Sequence, residues 1–265
     1  MKACVAAAVC LALVSACAPK APTLPAGAGT PFPEFLAAYQ QATAGCRDVR
    51  TFTAVMALSG KAGRTKLRGR IEAGFSAPGK LRLEGIAPFG RPVFVLTAGN
   101  GRGTLVLPRE DQVLEDAPPD KIVEALAGIA LDADALRAVV AGCGLWRGEE
   151  PTDGREYPGE QAAIVFPDAT AYLRRAGNAW QLSAASRGPL SVYYSDVASG
   201  RPSTIRLRST TGGATTADLT LRLSQVEINT PIDARAFVAQ LPAHPIAITL
   251  EELRQAGPLG ESGGR

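Results

Sequence analysis

The sequence predicts an α+β fold built on one strongly curved antiparallel sheet wrapped over helices. Three observations predict it. Stretches with period-two alternation fill most of the chain from residue 51 to residue 228, one face apolar and the other polar or charged. The alternation is interrupted once, in the middle, by two short stretches of helical period. Nearly every strand has an apolar face, while the helices available to cover those faces are few and short. A hollow apolar cavity is one way to resolve that imbalance.

In chain order, Met1-Lys2 forms a short positive start, and Ala3 to Val14 is an apolar run too short to span a bilayer as a finished helix. Val14-Ser15-Ala16-Cys17 follows, small residues before a cysteine, and resembles the bacterial lipobox. That resemblance implies that residues 1–16 are a signal peptide removed from the chain. It also implies that the Cys17 thiol takes a diacylglycerol and that the new amine is usually acylated. Two or three acyl chains hold a protein stably on a membrane where one is marginal. Residues 17–31 then form the lipidated cysteine and a tether. Ala18 to Pro31 is rich in Pro, Ala and Gly without apolar periodicity and reads as a semi-extended spacer. The folded domain is expected over residues 32–257, with 258–265 as a flexible tail.

Within the domain, Phe35, Leu36, Tyr39 and Ala42 make the apolar stripe of a short helix begun at Pro33-Glu34 and ended near Gly45. Strands are expected over Thr51 to Ser59 and Arg64 to Phe75. The second has a polar row of Arg64, Lys66, Arg68, Arg70 and Glu72 opposite Leu67 and Ile71. Such a row suits a solvated face, or contact with anionic headgroups or an acidic partner. Leu81 to Val95 reads as two strands joined by a projecting loop whose tip is Pro88-Phe89-Gly90. Phe89 either packs back on the core or forms an exposed apolar finger that touches lipid or a partner. Val93 to Ala98 and Gly103 to Leu107 make a hairpin about Gly99-Asn100-Gly101.

Pro118-Pro119-Asp120 opens the first central helix, and Asp132 caps the second, whose apolar stripe runs through Leu136, Val139, Val140 and Cys143. From Ala162 onward the chain is strand again. Leu219, Leu221 and Leu223 are odd-numbered but Val226 and Ile228 are even, so a bulge or bend is expected at Ser224-Gln225. A short helical turn lies in Asp233 to Leu241. Thr249 with Glu252 forms a capping box for a final helix stopped at Gly257-Pro258.

Composition narrows the function. A net charge of +3 argues against a dedicated nucleic-acid binder. Cys4 and Cys10 leave with the signal and Cys17 is lipidated, so Cys46 and Cys143 remain as an even pair in an oxidising compartment and are expected to be bridged. No Gly-x-Ser-x-Gly elbow and no metal-ligand spacing is present, and the one histidine, His244, sits in a Pro-rich turn. The chain therefore reads as a non-enzyme without a cofactor.

Over Phe32 to Leu250 the chain resembles the LolA/LolB superfamily of periplasmic lipoprotein carriers and receptors, most of all its LolB-like outer-membrane receptors. The resemblance is best over Leu81 to Leu145, where Pro88-Phe89-Gly90 stands in the place of the family's Pro-Leu-Gly loop and PPDKIVEALAGIALDADALRAVVAGCGL supplies the two-helix segment. It implies a half-open β-barrel with a helical lid inside or over a cavity that holds lipoprotein acyl chains or phospholipid. It also implies a soluble LolA-like carrier as partner, a monomeric body, and a place at the outer membrane facing the periplasm. Ala18, rather than Asp, after the anchor agrees with outer-membrane sorting. Phe89 is then the residue that helps insert cargo, and Phe52, Met56, Leu67, Leu83, Phe94, Trp180 and Leu221 line the cavity. An accessory or sensor lipoprotein of the same fold, holding a lipid or partner without transferring it, is the alternative.

Overall fold

The computed structural model of the 265-residue chain describes residues 23–86, 92–146, 148–198 and 200–258. The lipidation site Cys17 and the loop tip Pro88-Phe89-Gly90 lie outside them. The first half runs β1 (Thr30–Pro31), α1 (Phe35–Arg47), β2 (Thr51–Ala62), β3 (Thr65–Ser76), β4 (Lys80–Ile86), β5 (Phe94–Gly99), β6 (Arg102–Leu107) and β7 (Gln112–Ala117). Two central helices follow, α2 (Pro119–Ala127) and α3 (Ala133–Ala141). The second half runs β8 (Asp153–Tyr157), β9 (Gln161–Val165), β10 (Ala169–Ala176), β11 (Ala179–Arg187), β12 (Leu190–Ala198), β13 (Arg201–Thr211) and β14 (Ala214–Ile228). After a 3-10 turn at Ala234–Phe237 come β15 (Ile246–Ala247) and α4 (Leu250–Ala256).

Among the described residues, all fifteen strands belong to one sheet, in the order β1-β8-β9-β10-β11-β12-β13-β14-β2-β3-β4-β5-β6-β7-β15. Two antiparallel meanders are thus joined by the pairing of β14 with β2, and the sheet does not close. It is large and curved, as expected. The seam follows from sequence: Leu219, Leu221 and Leu223 stand opposite Gly60, Leu58 and Met56, so the apolar faces of the two meanders become one. The predicted bulge is present. The register shifts between Ser224 and Glu227, and Gln225 takes φ +51°.

Several expectations are corrected at the edges. Thr30–Pro31, read as the end of the tether, pairs with β8 as the edge strand β1. β7 and β8 fall outside the ranges that the alternation assigns to strands, and the second β region begins at Asp153 rather than Ala162. Both are short strands near the sheet edges, and the Asp-Gly-Arg-Glu-Tyr of β8 has no apolar alternation. Cys143 lies two residues past the end of α3, beyond the αL residue Gly142, rather than on the helix.

Helix ends obey local chemistry. Pro119 begins α2, and Gly128 in αL ends it. The Asp132 side chain accepts from Ala135 N at α3. Thr249 and Glu252 form the full capping box of α4. The chain between β14 and α4 is a strap over the convex side of the sheet: Arg82 Nη1 donates to Ala236 O (3.2 Å), and β15 pairs in parallel with β7. α4 then packs against α2 with Leu253 buried.

Candidate functional site

The concave face of the sheet is the apolar one, and α2 and α3 lie on it. Ile122, Val123 and Leu126 of α2 and Leu136, Val139 and Val140 of α3 are buried in the same core as the sheet residues Phe75, Leu81 and Leu96. Small residues set the approach. A Cβ at Gly103 would lie 3.0 Å from Ile122 Cδ1, and one at Gly128 would lie 3.4 Å from the Cβ atoms of Ala62 and Ala217. The short connection 128–132 therefore rests on the ends of β2 and β14.

The two helices are held very differently. α3 carries polar ties to its surroundings: Asp134 Oδ2 accepts from Gly79 N (3.0 Å), and Arg137 Nη1 donates to Val49 O (2.6 Å). Just past α3, Cys143 is bridged to Cys46 of α1, with Cα atoms 5.5 Å apart, as expected from the cysteine count. Tyr194 of β12 completes the attachment; its hydroxyl accepts from Gly144 N (3.0 Å) and donates to Val139 O (3.1 Å). Burial pushes the Tyr194 phenol far above its ordinary range. Tyr39 of α1 is raised to about 12, chiefly by burial and against the opposing pull of Arg47. α2, in contrast, has only local side-chain ties, Lys121 to Asp120 and Glu124, among the described residues. Apolar packing against β6 and α4 holds it.

Of the seven residues predicted to line a cavity, register puts Phe52, Met56, Leu67, Leu83, Phe94 and Leu221 on the concave face. Trp180 belongs to the same buried core, where α1 rather than α2 or α3 covers it. Its ring lies 5.5 Å from that of Phe32, its backbone N–H donates to Gln41 Oε1 (2.9 Å), and the Arg175 guanidinium lies over its face. The interior between these residues is filled by the two helices, because a void would leave apolar atoms without neighbours to attract.

Open space lies instead at the two ends of the helical layer. One opening of about 650 Å³ is bounded by the α2–α3 connection, with Gly128 and Leu131, and by the strand ends carrying Arg187, Pro189, Ser209 and Thr216. At its rim Arg187 Nη1 bridges Glu149 (2.9 Å) and Asp168 (3.0 Å). Nothing local in the sequence marked Arg187, since its partners come from distant loops. A second opening of about 380 Å³ lies at the opposite end, where Phe52 meets Val140, Pro202, Leu223 and Ile228. Phe52 is the one predicted lining residue found at either opening. β4 runs toward the β2–β3 turn and ends at Ile86, opposite Arg70 midway along β3.

No family model matches the chain, and no curated protein matches it in sequence. Solved structures do match in shape. A LolA superfamily protein from Nitrosomonas europaea superposes with a TM-score of 0.52 at 11% identity, over 77% of this chain and 96% of that one. A candidate outer membrane lipoprotein-sorting protein domain from Vibrio parahaemolyticus matches with a TM-score of 0.49 at 11% identity, over 76% of this chain and 95% of that one.

Proposed function

For a chain that has the fold of the LolA superfamily, we propose the role of a membrane-anchored, LolB-like receptor. It accepts the acyl chains of a lipoprotein on its concave face and helps place the cargo in the outer membrane. One observation carries the reading. An unclosed sheet keeps a continuous apolar face, and the two helices covering it are unequally attached, α3 by polar and covalent ties and α2 by apolar contact.

An acyl chain that enters at the 650 Å³ opening can replace α2 against the sheet. Apolar burial has no direction, so exchanging one apolar partner for another changes little in free energy. α2 is then the moving part of a lid, and α3 with its disulfide is the fixed part. Handover from a soluble LolA-like carrier requires only graded apolar affinity and no covalent step. Pro88-Phe89-Gly90 follows β4 in the chain, and an apolar residue there would meet the bilayer as cargo departs. Lipidated Cys17, after removal of residues 1–16, keeps the body within reach of that membrane.

Native mass spectrometry of residues 23–265 purified from a periplasm tests the reading. Bound phospholipid or acylated peptide is the expected result. A body that emerges empty and also refuses fluorescent acyl probes makes α2 and α3 a permanent core, and the molecule a scaffold. Locking the lid gives a second test. Gly128→Cys with Ala217→Cys, whose Cβ positions lie within disulfide range, should block probe uptake while each single substitution leaves it intact. Phe89→Asp should leave probe uptake intact and abolish delivery to membranes; unchanged delivery removes Phe89 from the mechanism.

A further inference from the structure

The geometry points to a second contact on the convex side of the sheet, a basic face that docks onto anionic phospholipid headgroups. Register places Arg222 of β14, Ala57 of β2, Arg70 of β3 and Ile86 of β4 side by side. Side chains two residues apart on a strand share a face. Lys61, Lys66 and Arg68 therefore stand with Arg70 and Arg222, opposite the apolar row of Leu58, Leu67 and Leu221. Arg64 occupies the β2–β3 turn at the end of this row.

All six cations are exposed, and none forms an ion pair among the described residues. Their summed charge exceeds the +3 of the whole chain, so charge is concentrated on this face rather than spread. The acids on the same three strands do not cancel it. Asp218 is engaged by Arg206 through two hydrogen bonds of 2.7 Å. Glu72 and Glu227 stand opposite Val55 and Thr53, toward the other end of the strands. The face is thus graded, positive toward the β2–β3 turn.

Charge complementarity selects an anionic surface. Three adjacent strands present the cations as a broad patch rather than a pocket, which suits many headgroups at once better than one small anion. A bilayer is also near: from Cys17 to Thr30 the chain spans at most about 45 Å. That nearness rests on the anchor reading above, whereas the charge pattern does not. Each Lys or Arg close to an anionic bilayer raises partitioning roughly fivefold. Docked in this way, the convex side meets lipid and the concave face points toward water, where a carrier arrives.

The test uses residues 23–265, which contain every described strand and helix and lack Cys17. Cosedimentation is compared for vesicles of phosphatidylglycerol mixed with phosphatidylcholine and for phosphatidylcholine alone. Binding to the anionic vesicles only is expected, weakening as salt rises from about 0.1 M to 1 M and the screening length falls from about 10 Å to 3 Å. Lys66→Glu/Arg68→Glu/Arg70→Glu should lower partitioning at least about 100-fold, with thermal midpoint and lipid content by native mass spectrometry unchanged. Lys80→Glu/Arg109→Glu/Arg174→Glu, a variant of the same net charge with exposed sites elsewhere, should keep it. Equal loss in both variants overturns the proposal in favour of a bulk charge effect. Absence of binding to anionic vesicles also overturns it; if the first variant then blocks cargo uptake from an acidic carrier, the face serves a protein. The lipid-cavity reading is judged separately, by whether the unmutated body carries lipid.

Discussion

At the residue scale, two positions show how tightly local chemistry is bound to the fold. Gly60 has φ +143° and faces Leu219 across the β14–β2 seam; a Cβ there would overlap Asp218 O and lie 2.8 Å from Leu219 Cα. Gly60→Ala should destabilise the protein by about 1–3 kcal/mol in urea unfolding, and an unchanged midpoint would sink the claim that the seam needs glycine. Tyr194 satisfies a buried N–H and a buried C=O at once, so Tyr194→Phe leaves both without a partner and should cost about 1–3 kcal/mol. Tyr194 and Tyr39 also determine an alkaline limit. Their phenols are neutral in both states below pH 10, the ordinary tyrosine value, so their contribution is complete there. Above it the unfolded chain ionises first while Tyr39 holds its proton to about pH 12. The thermal midpoint should therefore fall as pH rises from 10 toward 12, and the fall should be shallower in Tyr194→Phe.

At the element scale, the contrast between α2 and α3 is the main consequence of the structure. Both are nine-residue helices with apolar stripes and would be marginal alone. What separates them is attachment. Amide hydrogen exchange should show α2 opening more readily than α3 under native conditions; equal protection would mean that α2 and α3 move together or not at all. The Cys46–Cys143 bridge closes a loop of 97 residues between α1 and the end of α3. Replacing both cysteines by alanine should cost about 4–5 kcal/mol in the chain-entropy account, measured against the oxidised protein. In that variant the exchange difference between α2 and α3 should narrow, because α3 loses its covalent tie.

At the scale of the whole molecule, the seam makes two meanders into one cooperative unit. Neither meander can bury its apolar face alone, since the helices that cover it lie between them in the chain. Near-UV and far-UV signals should therefore report one coincident unfolding transition, and separate transitions for the halves 30–117 and 153–228 would show two units. Refolding must bring β14 to β2 across more than half the chain, so it should be slow, on the order of a second or longer. The same sheet separates two surfaces: an apolar concave side suited to acyl chains and a basic convex side suited to headgroups.

The sequence by itself determined what depends on near neighbours. Period-two alternation located most of the strands, Asp132 and Thr249 marked helix starts, and the parity change at Ser224-Gln225 located the bulge. The even pair Cys46 and Cys143 indicated the bridge. Only the tertiary structure decided the rest. β8 lacks a pattern because its hydrogen-bonded neighbours, rather than apolar side chains, hold it, and β7 lacks one because Val113 and Leu114, adjacent in the chain, are both buried. Trp180 alternates like a lining residue but lies under α1, because which helix covers a strand depends on contacts far apart in the chain. The opening beside Arg187 and the basic face arise likewise from strands distant in sequence and adjacent only in the sheet. Periodicity states that a side chain faces inward, while register and topology state what it meets there.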